Sequence, residues 1–266
     1  MEGAPGGDRP RLTAARAHGL IRAAAAAAAE LLLPICCVVC NRLLSAGEEG
    51  IICGHCWSLA RELPHPRCQR CGHPVDTHRC RWCPLLPPFV RAARSFCWIG
   101  AGSGRDIVHA LKYDGWTRAA EAIARRMARV SWPLDVVEER AAIVPVPLAE
   151  SRLRERGFNQ SALIAARLAE LWEIPVWSDC LTRATALRRQ TELTPGERLS
   201  NVAGAFAVPQ SALESLRGAH IVLLDDVVTT GATLRACASA LFASGARTIS
   251  YMTFGRAPAS GDRLNR

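Results

Sequence analysis

The sequence predicts an α/β fold: a mainly parallel sheet with helical connections, preceded by a small cysteine-rich module. Three observations lead there. Eight of the 12 cysteines fall into four C-x-x-C pairs between residues 37 and 83. From about residue 95 cysteines become rare, and short apolar runs alternate with stretches of helical periodicity, as in βα repeats. One apolar run, residues 221–224, leads directly into Asp225 and Asp226, followed by a loop of threonines and a glycine. The chain has 266 residues, 49% hydrophobic and 21% charged, which fits a folded protein with a small module and a medium domain.

Residues 1–33 form an Ala/Arg-rich extension. Alanine favours helix, so residues 11–33 are expected to be helical, ending before Pro34. Glu30 interrupts the apolar run, and no small-x-small cleavage site follows, so the extension is not read as a secretory signal. No run of about 18 uncharged apolar residues exists, which argues against a membrane-spanning helix. The expected location is cytoplasmic, where paired cysteines signify metal rather than disulfides.

Residues 34–90 are expected to be a double zinc ribbon. A C-x-x-C turn sets two thiolates on one side of a tight knuckle, and two knuckles complete a tetrahedron. Sequential pairing puts Cys37, Cys40, Cys53 and Cys56 on one Zn²⁺, and Cys68, Cys71, Cys80 and Cys83 on the other. A cross-braced arrangement is the alternative. Either way both sites are closed by four sulfurs and therefore structural. Cys36 is a less suitable substitute for Cys37, and His55, His65, His73 and His78 are read as ordinary turn or surface residues. A thioredoxin-like redox reading does not suit four such pairs in a Pro- and Gly-rich stretch. Cys97, Cys180 and Cys237 stand alone and are expected to be buried as small apolar groups.

Charge is less telling than it looks. The chain has a formal net charge of +9, with one lysine among 33 basic residues. The first 99 residues carry 12 arginines against 7 acids, a formal +5. Eight thiolates and two Zn²⁺ bring that module to about +1. A nucleic-acid surface built from Trp57, Trp82 and arginines is open, as is the plainer reading that these tryptophans cap a small core.

Residues 91–258 are the α/β domain, and 259–266 a tail. Helices are expected at 107–111, 119–130, 161–172 and 233–244, the last stopped by Gly245. Strands are expected at 141–144, 220–224 and 248–254, with a short edge strand at 206–208 and another beginning at Val176. Gly100, Gly102 and Gly104 imitate a dinucleotide loop but lack its third glycine spacing, and read as a strand-to-helix turn. An ATPase reading of the paired aspartates fails, because no G-x-x-x-x-G-K-[ST] is present.

The 221–233 segment carries the chemistry. Ligands of open α/β sheets bind at the carboxyl ends of strands, and a helix amino terminus offers unpaired N–H groups to an anion. Thr229, Thr230 and Thr233 add hydroxyls, and Gly231 lets the backbone come close. Together with Ala232 these would hold a phosphate monoester, while Asp225 and Asp226 accept from vicinal hydroxyls. A phosphate and a diol describe a ribose 5-phosphate.

This segment resembles the phosphoribosyl diphosphate (PRPP) motif of type I phosphoribosyltransferases. With the cysteine-rich module, the chain resembles the ComF family over residues 34–256. Further motifs in family order are ALKYDG at 110–115, VPVPL at 144–148, RERGFNQ at 154–160 and QTELTPGER at 190–198, then Asn201 and Phe206. The resemblance implies a mainly parallel sheet of the type I phosphoribosyltransferase kind. It implies that Asp225 and Asp226 meet the ribose hydroxyls, that residues 229–233 cradle the 5-phosphate, and that Pro145, Val146 and Pro147 form the diphosphate loop. Arg154, Arg156 and Asn159 would stand near that loop, with Asp225, Asp226 and Arg156 as the catalytic group. Residues 188–198 would be the mobile loop closing over PRPP, and Mg²⁺ would arrive with PRPP. The family implies a link to natural competence, with single-stranded DNA or DNA-uptake proteins as partners. The alternative is an active phosphoribosyltransferase of nucleotide metabolism acting on a nitrogen acceptor. Lys112 and Tyr113 read equally as structural or as site residues.

Overall fold

The computed structural model describes residues 35–45, 48, 50–75, 80, 82–100, 102–113, 115–183, 205–258 and 262. In chain order its elements are α1 (Gly54–Leu59), β1 (Val90–Trp98), α2 (Gly104–Tyr113), α3 (Ala119–Ala128), α4 (Leu134–Glu139), β2 (Arg140–Pro145), α5 (Glu150–Arg156), α6 (Gln160–Trp172), β3 (Thr182–Arg183), β4 (Phe206–Ala207), α7 (Leu213–Leu216), β5 (His220–Val228), α8 (Ala232–Ala243) and β6 (Thr248–Arg256). The expected helix at 11–33 and the 188–198 loop lie outside the described residues.

Four strands form one parallel sheet in the order β1-β6-β5-β2. Alternate residues of each strand face opposite sides, so two apolar clusters develop. Val222 and Leu224 of β5, with Met252 and Phe254 of β6, meet Ile123 of α3 and Ile164 and Leu168 of α6. Ile221 and Leu223, with Ile249 and Tyr251, meet Leu234, Cys237 and Leu241 of α8. Both central strands are covered on both faces, which is why they read as continuous apolar runs.

Four sequence expectations change in detail. β5 does not stop at the aspartates but runs on to Val228. Val176 makes a single parallel bridge to Ile143 rather than starting a strand. Pro175 has no N–H to continue the ladder, and a 3₁₀ turn at Ser178–Cys180 follows. Strand β1 was not expected at all. Its sequence, VRAARSFCW, carries two arginines and a serine and shows no apolar run. Arg94 is nevertheless buried, donating to the carbonyls of Ser131, Ala93 and Gln69 and lying 5.5 Å from the Trp132 ring. The short edge strand expected at 206–208 is present as β4, but it pairs antiparallel with β3 in a separate two-stranded sheet rather than at the edge of the main one.

The cysteine-rich module covers the free edge of β1. Leu63 N–H donates to Phe96 O, Trp98 N–H to Arg61 O, and Ala93 N–H to Arg70 O. An exposed edge would template unwanted pairing, and the module removes it. Its first ribbon also enters the core: Ile51, Ile52 and Trp57 pack with Phe96, Ile123 and Phe254. Gly102 (φ +72°) explains the glycine-rich turn after β1. A Cβ there would stand 1.9 Å from the Leu59 carbonyl oxygen at the end of α1. The turn is therefore a seam between module and domain.

Candidate functional site

Two cysteine clusters assemble as sequential pairing predicts: Cys37, Cys40, Cys53 and Cys56, and Cys68, Cys71, Cys80 and Cys83. In each, all ligand atoms lie within 4.8 Å of one another. The Cys37–Cys56 and Cys40–Cys53 sulfurs are 3.7 and 3.6 Å apart, and the Cys68–Cys83 and Cys71–Cys80 sulfurs 3.2 and 3.3 Å apart. These separations are far too long for disulfides. The first pair is close to the roughly 3.8 Å edge of a tetrahedron with Zn–S bonds of about 2.3 Å. Backbone N–H groups already point at the sulfurs, Cys53 N to Cys37 Sγ and Cys56 N to Cys53 Sγ, each at 3.3 Å. Against the effect of burial, the Cys56 N–H and Arg42 hold the Cys53 thiol down at about 6. The donor set fits structural Zn²⁺. Cys36 is exposed and outside the cluster, as are His55 and His65, while His78 lies outside the described residues. His73 turns instead to Asp262 (2.9 Å) and stacks near Trp82.

The second site lies where β5 gives way to α8. Asp225 and Asp226 are successive strand residues, so their side chains leave opposite faces. Asp226 is 5% exposed; its Oδ1 accepts from Val227 N–H (2.9 Å), and its Oδ2 forms an ion pair with Lys112 Nζ from the last turn of α2. Asp225 is half-buried, and its Oδ1 accepts from Ser161 Oγ (3.0 Å) at the start of α6 and from Asp226 N–H (2.9 Å). Burial, and then the neighbouring Asp226 charge, push the Asp225 carboxyl up to about 8, opposed by these two donors.

Beyond them, Thr229 and Thr230 are exposed, and Gly231 caps α8 in the left-handed region at φ +74°. The cap residue Gly231 has no side chain to bond the helix amino terminus; of the first N–H groups of this 12-residue helix, that of Ala232 meets Thr230 Oγ1 at 3.4 Å. That end carries the partial positive charge of the helix.

β2 ends at Pro145, and Val146 and Pro147 follow it alongside. Val146 N–H donates to Leu224 O (2.8 Å), and Val146 O accepts from Asn159 Nδ2 (3.0 Å). Asn159 also caps α6, accepting from Ser161 N–H. Arg156 donates to Gln160 Oε1 and to Tyr113 Oη, both at 3.0 Å, with its guanidinium 4.7 Å from the Tyr113 ring. Arg154 is different: it pairs with Glu150 on the exposed face of α5 and contacts none of these groups.

The structure thus brings together Asp225, Asp226, the 229–233 loop, Val146, Asn159 and Arg156. It adds Lys112 and Tyr113, which the sequence left open between structural and site roles, Gln160, the last residue of the RERGFNQ motif, to which no role was given, and Ser161, which lies outside the motifs. For Lys112 the signals are its place in ALKYDG and its being the single lysine of the chain. Ser161 gives none, because helix-start polar residues are common. A cavity of about 410 Å³ lies to one side, between residues 228–231, the end of β6 and the second ribbon at Trp82. Asp225 and Asp226 are not part of its lining, so we locate the polar site at the strand ends and not in this cavity.

Comparison with known proteins agrees with this layout. A family pattern described as a double zinc ribbon domain matches residues 28–85, and one described as a phosphoribosyl transferase domain matches residues 159–264. The chain is 34% identical over 231 residues to the DNA utilization protein YhgH of Salmonella typhimurium, covering 82% of this chain and 96% of that one. It is 26% identical over 223 residues to competence protein ComFC of Bacillus subtilis, covering 79% and 85%. Among solved structures, a hypoxanthine phosphoribosyltransferase from Staphylococcus aureus aligns over 55% of this chain and 69% of that one, at 12% identity and a TM-score of 0.33.

Proposed function

Because the chain belongs to the ComF/YhgH family, in which a double zinc ribbon precedes a phosphoribosyl transferase domain, we propose that it binds PRPP with Mg²⁺ at the end of β5 and serves in the cytoplasmic handling of incoming single-stranded DNA. The observation that carries the ligand reading is the adjacency of two acids and a glycine-capped helix amino terminus lined by threonines along one short stretch, residues 225–233. Asp225 and Asp226 accept from the ribose 2- and 3-hydroxyls. Thr229, Thr230, Gly231, Ala232 and Thr233 take the 5-phosphate. Pro145, Val146 and Pro147 face the diphosphate, and Arg156 supplies positive charge beside them.

The residues suit a metal that travels with its ligand. Among the described residues, groups of three or more potential ligand side chains occur only in the two cysteine clusters. Mg²⁺ favours oxygen and commonly binds through substrate phosphates with few protein groups. When bound, it would neutralise diphosphate charge. The Zn²⁺ sites hold the ribbons against the domain and leave no coordination position open for chemistry.

The DNA reading draws on the names of the relatives, DNA utilization and competence proteins. The second reading, transfer of phosphoribosyl to a nitrogen acceptor, draws on Lys112, paired with Asp226, and on Arg156, bonded to the adjacent Tyr113, two cations that could stabilise a departing diphosphate.

Calorimetry of Mg²⁺-dependent PRPP binding tests the first reading. Asp226→Asn should weaken binding by about tenfold or more, the cost of one hydrogen bond to a charged group. Equal affinity in both proteins would count against the carboxylate role. Diphosphate release with a panel of bases and amines tests transfer.

A further inference from the structure

Asp226 Oδ2 is sealed from solvent, and among the described residues it meets the Lys112 ammonium in an ion pair and no other donor. An ionised carboxylate in such a place costs several kcal/mol unless it is compensated. Lys112 supplies the compensation. On the ribose-phosphate reading, which this inference takes as its basis, the same carboxylate must accept from a sugar hydroxyl. With no access from solvent, this oxygen can receive a sugar hydroxyl only if a neighbouring group moves aside, and the flexible one of its neighbours is the Lys112 ammonium.

The residue type fits an exchange. The chain uses arginine at 32 of its 33 basic positions and lysine only here. A guanidinium would grip the carboxylate through a planar fork of two bonds. An ammonium is a compact charge on a flexible four-carbon stem, able to release one oxygen and reach another. Its surroundings offer a destination. Tyr113, the next residue, is held by Arg156, which bonds Gln160, whose neighbour Asn159 bonds Val146. These contacts set Lys112 and Arg156 on the side of the 145–147 loop, where a diphosphate would lie.

We propose that Lys112 is an exchangeable counter-ion of this site. In the empty site it pairs with Asp226. When a ribose hydroxyl takes the carboxylate, the ammonium passes to the anionic group on C1 of the ligand. The site thereby favours a sugar phosphate that is also charged at C1 over one that is not.

Two measurements test this. Because the chain has one lysine, protein labelled with [ε-¹³C]lysine gives a single resonance for that residue. It should lie away from the position of a solvated lysine in the free protein, return towards it in Asp226→Asn, and shift on saturation with Mg²⁺ and PRPP. Calorimetry of Lys112→Met should show PRPP bound about tenfold or more weakly. Ribose 5-phosphate, which lacks the C1 diphosphate, should bind equally well or more tightly, because no ion pair then has to break. Lys112→Arg keeps the charge and should still bind PRPP more weakly than wild type. Equal loss of both ligands in Lys112→Met, or a wild-type resonance unmoved by bound PRPP, would overturn the exchange alone. Wild type binding neither ligand would overturn the ribose-phosphate reading and the exchange with it. The resonance in free wild type against Asp226→Asn reads the ion pair independently of any ligand and of how well Lys112→Met folds.

Discussion

The Arg126 guanidinium of α3 lies 4.8 Å from the ring of Trp57, which belongs to the first zinc ribbon. The same ring meets Phe96 and Phe254 edge-on, each at 6.3 Å. Ribbon and sheet share one core. Each buried side chain of this size contributes about 1.5–3 kcal/mol. Ile51, Ile52 and Trp57 together therefore match a large part of the 5–15 kcal/mol typical of a whole domain. Removing zinc with a chelator, or Cys53→Ser, should lower the thermal midpoint of the entire chain in one transition. Differential scanning calorimetry would show it; an unchanged main transition would mean that the ribbon folds independently.

Asp225 sets a pH dependence. Its carboxyl is pushed up to about 8, whereas an unfolded aspartate releases its proton near 4. Between these values the folded chain holds a proton that the unfolded chain has lost, so this group makes stability fall as pH rises from about 4 to about 8. Asp225→Asn should stabilise the ligand-free protein at pH 8.5, by on the order of 1 kcal/mol, and change little at pH 4. Ser161→Ala removes a donor that opposes the shift and should steepen the fall. Thermal melts at the two pH values decide, and a pH-independent effect of Asp225→Asn would refute the assignment.

Two glycines should respond differently to alanine. Gly231 has open space, its nearest neighbour being Val228 Cγ2 at 3.8 Å, so Gly231→Ala meets only the left-handed backbone cost of about 1–2 kcal/mol. Gly102→Ala adds a collision with the Leu59 carbonyl to the same backbone cost. It should destabilise by more than Gly231→Ala in chemical denaturation, and loosen the ribbon seam. Gly231→Ala should instead weaken binding of a phosphate ligand.

Direct DNA contact predicts a division among the arginines. Arg70, Arg94 and Arg256 spend donors on internal carbonyls, including those of Pro87, Ser131 and Cys71. Replacing them should lower stability. Arg152 and Arg154 are exposed on α5. If a single strand lies there, Arg152→Ala should reduce the salt slope of binding by about 0.7, the value for one phosphate contact. Filter binding across a salt series measures it; an unchanged slope would remove α5 from the interface.

Much of this was legible from sequence. The C-x-x-C spacing picked out the eight sulfurs, because each knuckle is a local turn that four consecutive residues determine, but which knuckles join was left between sequential and cross-braced grouping until the structure brought them together. The 220–233 stretch likewise declared strand, acids, loop and helix, since all its chemistry is contiguous. What stayed hidden joins distant residues. β1 shows no apolar run, because Arg94 and Ser95 are buried through hydrogen bonds to other segments and not through their own hydrophobicity. The pairing of Lys112 with Asp226 spans 114 positions, and that of Ser161 with Asp225 spans 64. No local periodicity encodes such contacts; they exist only once α2 and α6 have packed beside β5. Sequence alone therefore determined which groups the protein owns, whereas the tertiary structure decided which carboxylate is sealed against a cation and which one accepts from a helix-start hydroxyl, because burial and charge proximity arise only when separate segments meet.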